Sequence, residues 1–153
     1  MPAYTMDQRE AAATMALGQK VERATANMTT GLALFDVEGG NCLITLIVGE
    51  VTTIIETKTV NAKLVLDVDT GTDTDMCANL DWSADEAGSL YTLEGQAASA
   101  MQTGQSGSCP GATFPIVVAP GAIDITIGAT HTGSVKWTLW YIPLEVGAYI
   151  AET

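Results

Sequence analysis

Along residues 134–142 the side chains alternate in character: Val135, Trp137, Leu139 and Tyr141 hold one parity, and Lys136, Thr138, Trp140 and Ile142 the other. A period of two sends successive side chains to opposite faces of an extended chain, a pattern no helix can satisfy. The same period governs residues 63–68, where Leu64, Leu66 and Val68 share a face. β-Branched and apolar runs at 32–37, 42–48, 51–57, 90–93, 116–118 and 123–127 extend the pattern through most of the chain. Residues 42–48 are apolar on both parities, which predicts a strand covered on both sides. Gly39-Gly40 supplies the positive φ angles of a tight hairpin turn, and Pro143 limits further ladder pairing. Thr70 to Asp75 reads as a polar loop, and residues 97–110 as a long loop with one helical turn at 97–101. About eight short strands with Gly and Pro turns predict an all-β fold, an antiparallel β-sandwich or jelly-roll-like barrel. No strand–helix–strand alternation is present, which argues against a parallel α/β sheet.

The first 28 residues differ. Leu17, Val21, Ala24 and Met28 recur at helical spacing, and Thr5-Met6-Asp7-Gln8 has the form of a capping box. Gly18 and the threonines at 25, 29 and 30 oppose a long helix. The expectation is an N-terminal helical or extended arm over residues 1–28, outside the sheet, and a β-sandwich domain over 29–153. The stripe of Leu17, Val21 and Met28 either contacts a neighbour or packs back on its own sheet.

Eighteen acidic residues against six basic ones give a net charge of −12. Phosphate neutralisation needs lysine and arginine, so the balance argues against a nucleic-acid partner. Only 16% of residues are charged while 47% are apolar, an unusual surface for a soluble monomer and one suited to subunit contact. The start lacks a cationic segment followed by an apolar run, and the best apolar stretch, 43–48, is interrupted by Thr45, so neither a leader nor a membrane span is expected.

The chemistry-bearing residues are sparse. Cys42, Cys77 and Cys109 form neither a CxxC motif nor a cluster with histidine, so no zinc site is expected and Cys42 reads as a small buried hydrophobe. Whether Cys77 and Cys109 pair stays open. The run from Asp67 to Asp75 carries four aspartates with alternating carboxylates that suit a hard cation, but it departs from a twelve-residue calcium loop, where Ala78 takes the glutamate position. A solvated turn is the other reading of this run, and no metal or cofactor is assigned. Gly107-Ser108-Cys109-Pro110-Gly111 has the outline of a nucleophile elbow, yet Pro110 lacks the N–H its oxyanion hole needs. His131 reads as a turn residue. Asp81, Asp85 and Glu86 could form a glycosidase pair only if the fold set their separation. Trp137 and Trp140 fall on opposite strand faces, so one belongs to the core and the other is free for a subunit contact or ligand. No catalytic set emerges, and the chain reads as a non-enzyme.

The segments Gly39-Gly40-Asn41 through Gly49-Glu50-Val51-Thr52-Thr53, then Asn61-Ala62-Lys63-Leu64 and Gly88-Ser89-Leu90-Tyr91, resemble small β-rich structural proteins of tailed-bacteriophage virions. So does the ending Gly133-Ser134-Val135-Lys136-Trp137, Tyr141-Ile142-Pro143-Leu144 and Gly147-Ala148. The resemblance covers residues 29–148 and consists of turns and strands. It implies a capsid decoration, or cement, protein: a homo-oligomer, a trimer by preference, made in the host cytoplasm, bound to the major capsid protein and resident on the virion surface. The alternative it leaves is a receptor- or glycan-binding module of a fibre or tail. Leu17, Val21, Met28 and Trp140 are the expected interface residues.

Overall fold

A computed structural model describes residues 7–104 and 107–153. Among them are one helix, α1 (Gln8–Leu17), and twelve strands: β1 (Gln19–Met28), β2 (Leu32–Glu38), β3 (Cys42–Thr53), β4 (Asn61–Val68), β5 (Thr74–Asp75), β6 (Leu80–Asp81), β7 (Leu90–Thr92), β8 (Gln102–Gly104), β9 (Ile116–Val118), β10 (Gly121–Ile127), β11 (His131–Pro143) and β12 (Tyr149–Glu152). The strands form two antiparallel sheets packed face to face. The front sheet runs β1-β11-β3-β7-β8, with β9 beside the other end of β3; the back sheet runs β12-β2-β10-β4-β5, with β6 also beside β4. Counting β7 with β9 as one position and β5 with β6 as another, the eight main positions in chain order lie 1-8-3-6 in front and 2-7-4-5 behind. This is jelly-roll connectivity, with β12 and β8 added at the margins.

The period-two pattern sets what is buried. Val135, Trp137, Leu139 and Tyr141 of β11 point between the sheets, against Leu64 and Leu66 of β4 and Ile123, Ile125 and Ile127 of β10 in one continuous core. At its centre Trp137 lies opposite Gly49 of β3, and Gly49 lies opposite Tyr91 of β7. A Cβ on Gly49 would stand 2.8 Å from the Trp137 ring, so the missing side chain is what lets the indole lie across β3. Trp82 completes the layer, stacked on Tyr91 at 4.3 Å between centroids and tilted against Trp137 at 6.0 Å. Offset aromatic contacts of this kind add about 0.5–1.5 kcal/mol beyond the area they bury.

The largest departure from the sequence reading concerns the N-terminal segment. The helical spacing of Leu17, Val21 and Met28 does not continue through it: α1 ends at Leu17, and residues 19–28 form β1, hydrogen-bonded to β11 with Val21 opposite Leu139. Gly18 makes the break. It adopts φ +90°, and a Cβ there would lie 2.1 Å from the Tyr141 carbonyl oxygen. What looked like an arm outside the sheet is therefore an edge strand plus one short helix. β1 buries a single face, along which Val21 and Met28 are the large apolar residues that reach the core. The capping-box residues Thr5 and Met6 lie outside the described residues; Asp7 is the N-cap, its carboxylate accepting from the Arg9 amide.

Smaller departures follow from short pairings that carry little hydrophobic signal. β5 occupies the end of the predicted acidic loop, β8 occupies part of the predicted long loop, and residues 97–101 form turns rather than a helix. Because Gly49 opens the space for Trp137, Gly49→Ala should destabilise the fold by about 1–3 kcal/mol through overpacking. Gly128→Ala, where a Cβ meets open space, should stay within about 0.5 kcal/mol of the parent. Urea unfolding followed by tryptophan fluorescence measures both.

Candidate functional site

The outward faces of the two sheets have opposite chemistry. On the back sheet, Ala122 of β10 sits between Asp36 of β2 and Asp67 of β4, with Asp124 two residues further along β10. Partial burial, then repulsion from Asp67, Asp36 and Asp73, raises the Asp124 carboxyl above its usual range. Repulsion from Asp67 does the same to Asp73. This face is acidic and polar, as expected for a solvated sheet.

The front sheet is different at one end. Val117 of β9, Leu43 of β3 and Ile142 of β11 align in one cross-strand row. In the next row Leu46 of β3 meets Trp140 of β11, which meets Lys20 of β1. Val117 is 59% exposed, and Phe114, Ile142 and Leu144 are each about half that of a free side chain or somewhat less, at 47%, 40% and 49%. Phe114 borders the same depression as Leu46. Apolar side chains thus continue across three strands on a face that, among the described residues, no second layer covers apart from α1 at one side. Towards the opposite end the rows become polar, with Glu50 opposite Lys136 and Val48 next to Thr138 and Glu22. A contiguous exposed apolar patch of this kind marks a binding surface more often than scattered single residues do. The apolar double parity of residues 42–48 has the same origin: one face of β3 enters the core, and the other enters this patch.

Thr45 holds α1 against the patch. The pairing of β3 with β11 shifts register between Trp140 and Tyr141, leaving Thr45 as the extra residue of a β-bulge. Its hydroxyl reaches two carbonyl oxygens, Leu17 at the end of α1 and Trp140 in β11. The helix itself buries none of its residues, and Met15 is 90% exposed. Ten residues are too few for a helix to persist on propensity alone, so α1 depends on this tether and on whatever covers it. Beneath it the Trp140 indole nitrogen is buried and, among the described residues, has no acceptor.

The four expected interface residues separate accordingly. Leu17 and Trp140 meet through Thr45 at the front face. Val21 packs partly against the core, and Met28 is 2% exposed within it, so neither presents a contact surface. Trp137 is the core tryptophan and Trp140 the outward one. The exposed patch residues Val117, Phe114 and Ile142 were missed because their neighbours across the sheet are distant in sequence; the signal available was the apolar second parity of 42–48.

Other residues of chemical interest are used structurally. Asp81 accepts from the amides of Ser83 and Val60, which hold its carboxyl below the usual range. Asp85, 4% exposed, accepts from the Tyr91 hydroxyl, and burial together with that bond pushes the phenol well above its ordinary value. Cys42 and Cys77 are buried and Cys109 is partly buried, all three as free thiols; the Thr92 hydroxyl lies 3.4 Å from the Cys109 sulfur. Among the described residues no group of three or more His, Cys, Asp or Glu side chains comes together as a metal site, the acidic run of 67–75 included.

His131 is not a turn residue but the buried first residue of β11. Its Nδ1 lies 3.2 Å from Glu56 Oε1, an ion-pair distance without hydrogen-bond alignment. The same Glu56 oxygen accepts from the Thr132 amide, and the Glu56 amide donates back to the Thr132 carbonyl. This reciprocal pair fastens the segment after β3 to β11. The Thr132 amide, then Lys58 and His131, hold the Glu56 carboxyl below its ordinary value. A depressed acid contributes stability above its unfolded pKa and loses it as pH falls through the folded value. Glu56→Gln should therefore lower Tm at neutral pH, and its difference from the parent should close as pH drops below about 4.5. Thermal melts between neutral and acid pH measure this.

No protein-family model matches the chain, and neither a curated protein nor a solved structure does.

Proposed function

We propose that this chain is a structural virion protein that docks on the outer surface of a phage capsid and stabilises the shell, acting by binding rather than by catalysis. The observation that carries the reading is the uncovered apolar end of the front sheet, centred on Val117, Leu43, Ile142 and Phe114. Charge segregation supports it. In a chain of net charge −12, docking through an uncharged face leaves the acidic back sheet in solvent, away from the contact. The jelly roll is compatible, since capsid and lectin domains both use it, though a fold alone does not assign a function. In this reading the major capsid protein is the partner, the chain acts as an oligomer with a trimer preferred, and α1 gains its missing cover from a neighbouring subunit. Many weak repeated contacts across a shell would supply the avidity such a protein needs.

A second reading, a receptor- or glycan-binding module of a fibre or tail, is favoured by the partly exposed Trp140 beside polar side chains. Copy number separates the two. Quantitative mass spectrometry of purified particles should find this chain in a simple stoichiometric ratio to the major capsid protein; a few copies per particle would favour the fibre reading. Val117→Lys and Ile142→Lys should each weaken co-sedimentation with capsids by about tenfold or more while leaving Tm near that of the parent. Thr126→Lys, on the outer face of the back sheet, should bind as the parent does.

A further inference from the structure

We propose that the groove between α1 and the β1–β11 edge binds a saccharide carrying a carboxylate. The groove has a volume of about 430 Å³, within the range of about 300–1,000 Å³ typical of small-ligand sites. It is lined by Trp140 from β11, Lys20 from β1, and Arg9, Glu10 and Thr14 from α1. This combination is selective in chemistry. An indole gives the apolar face of a sugar ring a flat surface to stack on. A guanidinium takes a carboxylate through two parallel hydrogen bonds, and an ammonium adds a point charge. The hydroxyl of Thr14 and the carboxylate of Glu10 supply an acceptor–donor pair and a strong acceptor for ring hydroxyls.

Two of the chain's six cationic residues, Arg9 and Lys20, line this groove, against one acidic side chain, Glu10. Lys20 is paired with Glu22 at 2.9 Å, so Arg9 is the cation that a ligand carboxylate engages most directly. The acidic cluster of Asp36, Asp67 and Asp124 is on the outer face of the other sheet. At physiological salt, charges separated by more than about 8 Å are largely screened, so local groups outweigh the net charge. The groove is lined by residues of α1, β1 and β11, and neither Leu43 nor Val117 is among them, so ligand and protein partner need not compete. The site does not depend on the capsid reading.

Screening the full chain on an array of immobilised neutral hexosides, N-acetylhexosamines and carboxylated saccharides tests this. Trp82 and Trp137 are buried in the core, so a ligand-dependent change in tryptophan fluorescence reports Trp140 and gives the affinity for the array hits. The expected result is retention of a carboxylated saccharide at least about tenfold tighter than its neutral counterpart, weakened by salt. Arg9→Ala should lose that preference, and Trp140→Phe should weaken binding to both classes. Val117→Lys should bind as the parent does, which shows that the patch and the groove are separate. The proposal is overturned if no carboxylated saccharide binds, if neutral counterparts bind equally well, or if Arg9→Ala binds as the parent does. Since Arg9 is exposed and outside the sheets, its replacement leaves the fold intact and the result interpretable.

Discussion

Trp137 lies across β3 because Gly49 offers no side chain to stop it, and much of the molecule's geometry depends on that contact. With Trp137 fixed between the sheets, the register of β11 against β3 is fixed as well. A slip of one residue would turn every side chain of β11 to the other face. Trp140 and Ile142 are therefore committed to the outside by the same contact that commits Trp137 to the core. Tyr91 and Trp82 extend the lock to β7 and to the segment after β6, and Asp85 satisfies the Tyr91 hydroxyl where it is buried. The strand residues of the outer apolar patch are thus the reverse side of the core. That suits a surface meant to bind without reorganising.

Two features of the front face remain underused within a single chain. α1 covers part of the face yet buries none of its own residues, and the Trp140 nitrogen beneath it lacks an acceptor among the described residues. A buried polar group left unpaired costs about 1–3 kcal/mol. Thr45 partly offsets this weakness by binding the carbonyls of Leu17 and Trp140 from the bulge it creates. A helix held mainly at one end, over a face with exposed valine, phenylalanine and isoleucine, is physically matched to an environment that supplies further contacts. The back sheet carries aspartates on its outer face, with Asp36 and Asp67 flanking Ala122.

The legibility of the fold in the sequence followed the strength of local patterning. The alternation through Val135, Trp137, Leu139 and Tyr141 identified the strand and put Trp137 and Trp140 on opposite faces; the structure shows that the Trp137 face is the buried one. Gly39-Gly40 marked a turn but not the hairpin expected there: β2 pairs with β10 and β12 in the back sheet and β3 with β11, β7 and β9 in the front, so this turn carries the chain from one sheet to the other. All-β sandwich architecture followed from the number of strand and turn signals. β1 was misread because an edge strand with one buried face carries few apolar residues, and its Val21 and Met28 happen to continue a helical interval from Leu17, the last residue of α1. Gly18, whose conformation ends the helix, was visible but was taken only as a weakness in it. His131 was hidden because its partner Glu56 is far away in sequence. The patch was half legible: residues 42–48 announced two apolar faces, but covering by the protein's own second layer explained the pattern equally well until the strand order was known. The groove beside Trp140 was illegible, since it needs β1 and α1 folded back along β11.

The central claim is that the apolar end of the front sheet is the surface that meets a partner. Hydroxyl-radical footprinting of the protein, free in solution and bound on purified capsids, tests it most directly. Val117, Phe114, Ile142 and Leu144 should lose reactivity on binding, while Val65 and Tyr149 on the back-sheet side should keep theirs. Unchanged reactivity at the front face, with protection appearing on the back sheet instead, would contradict the account.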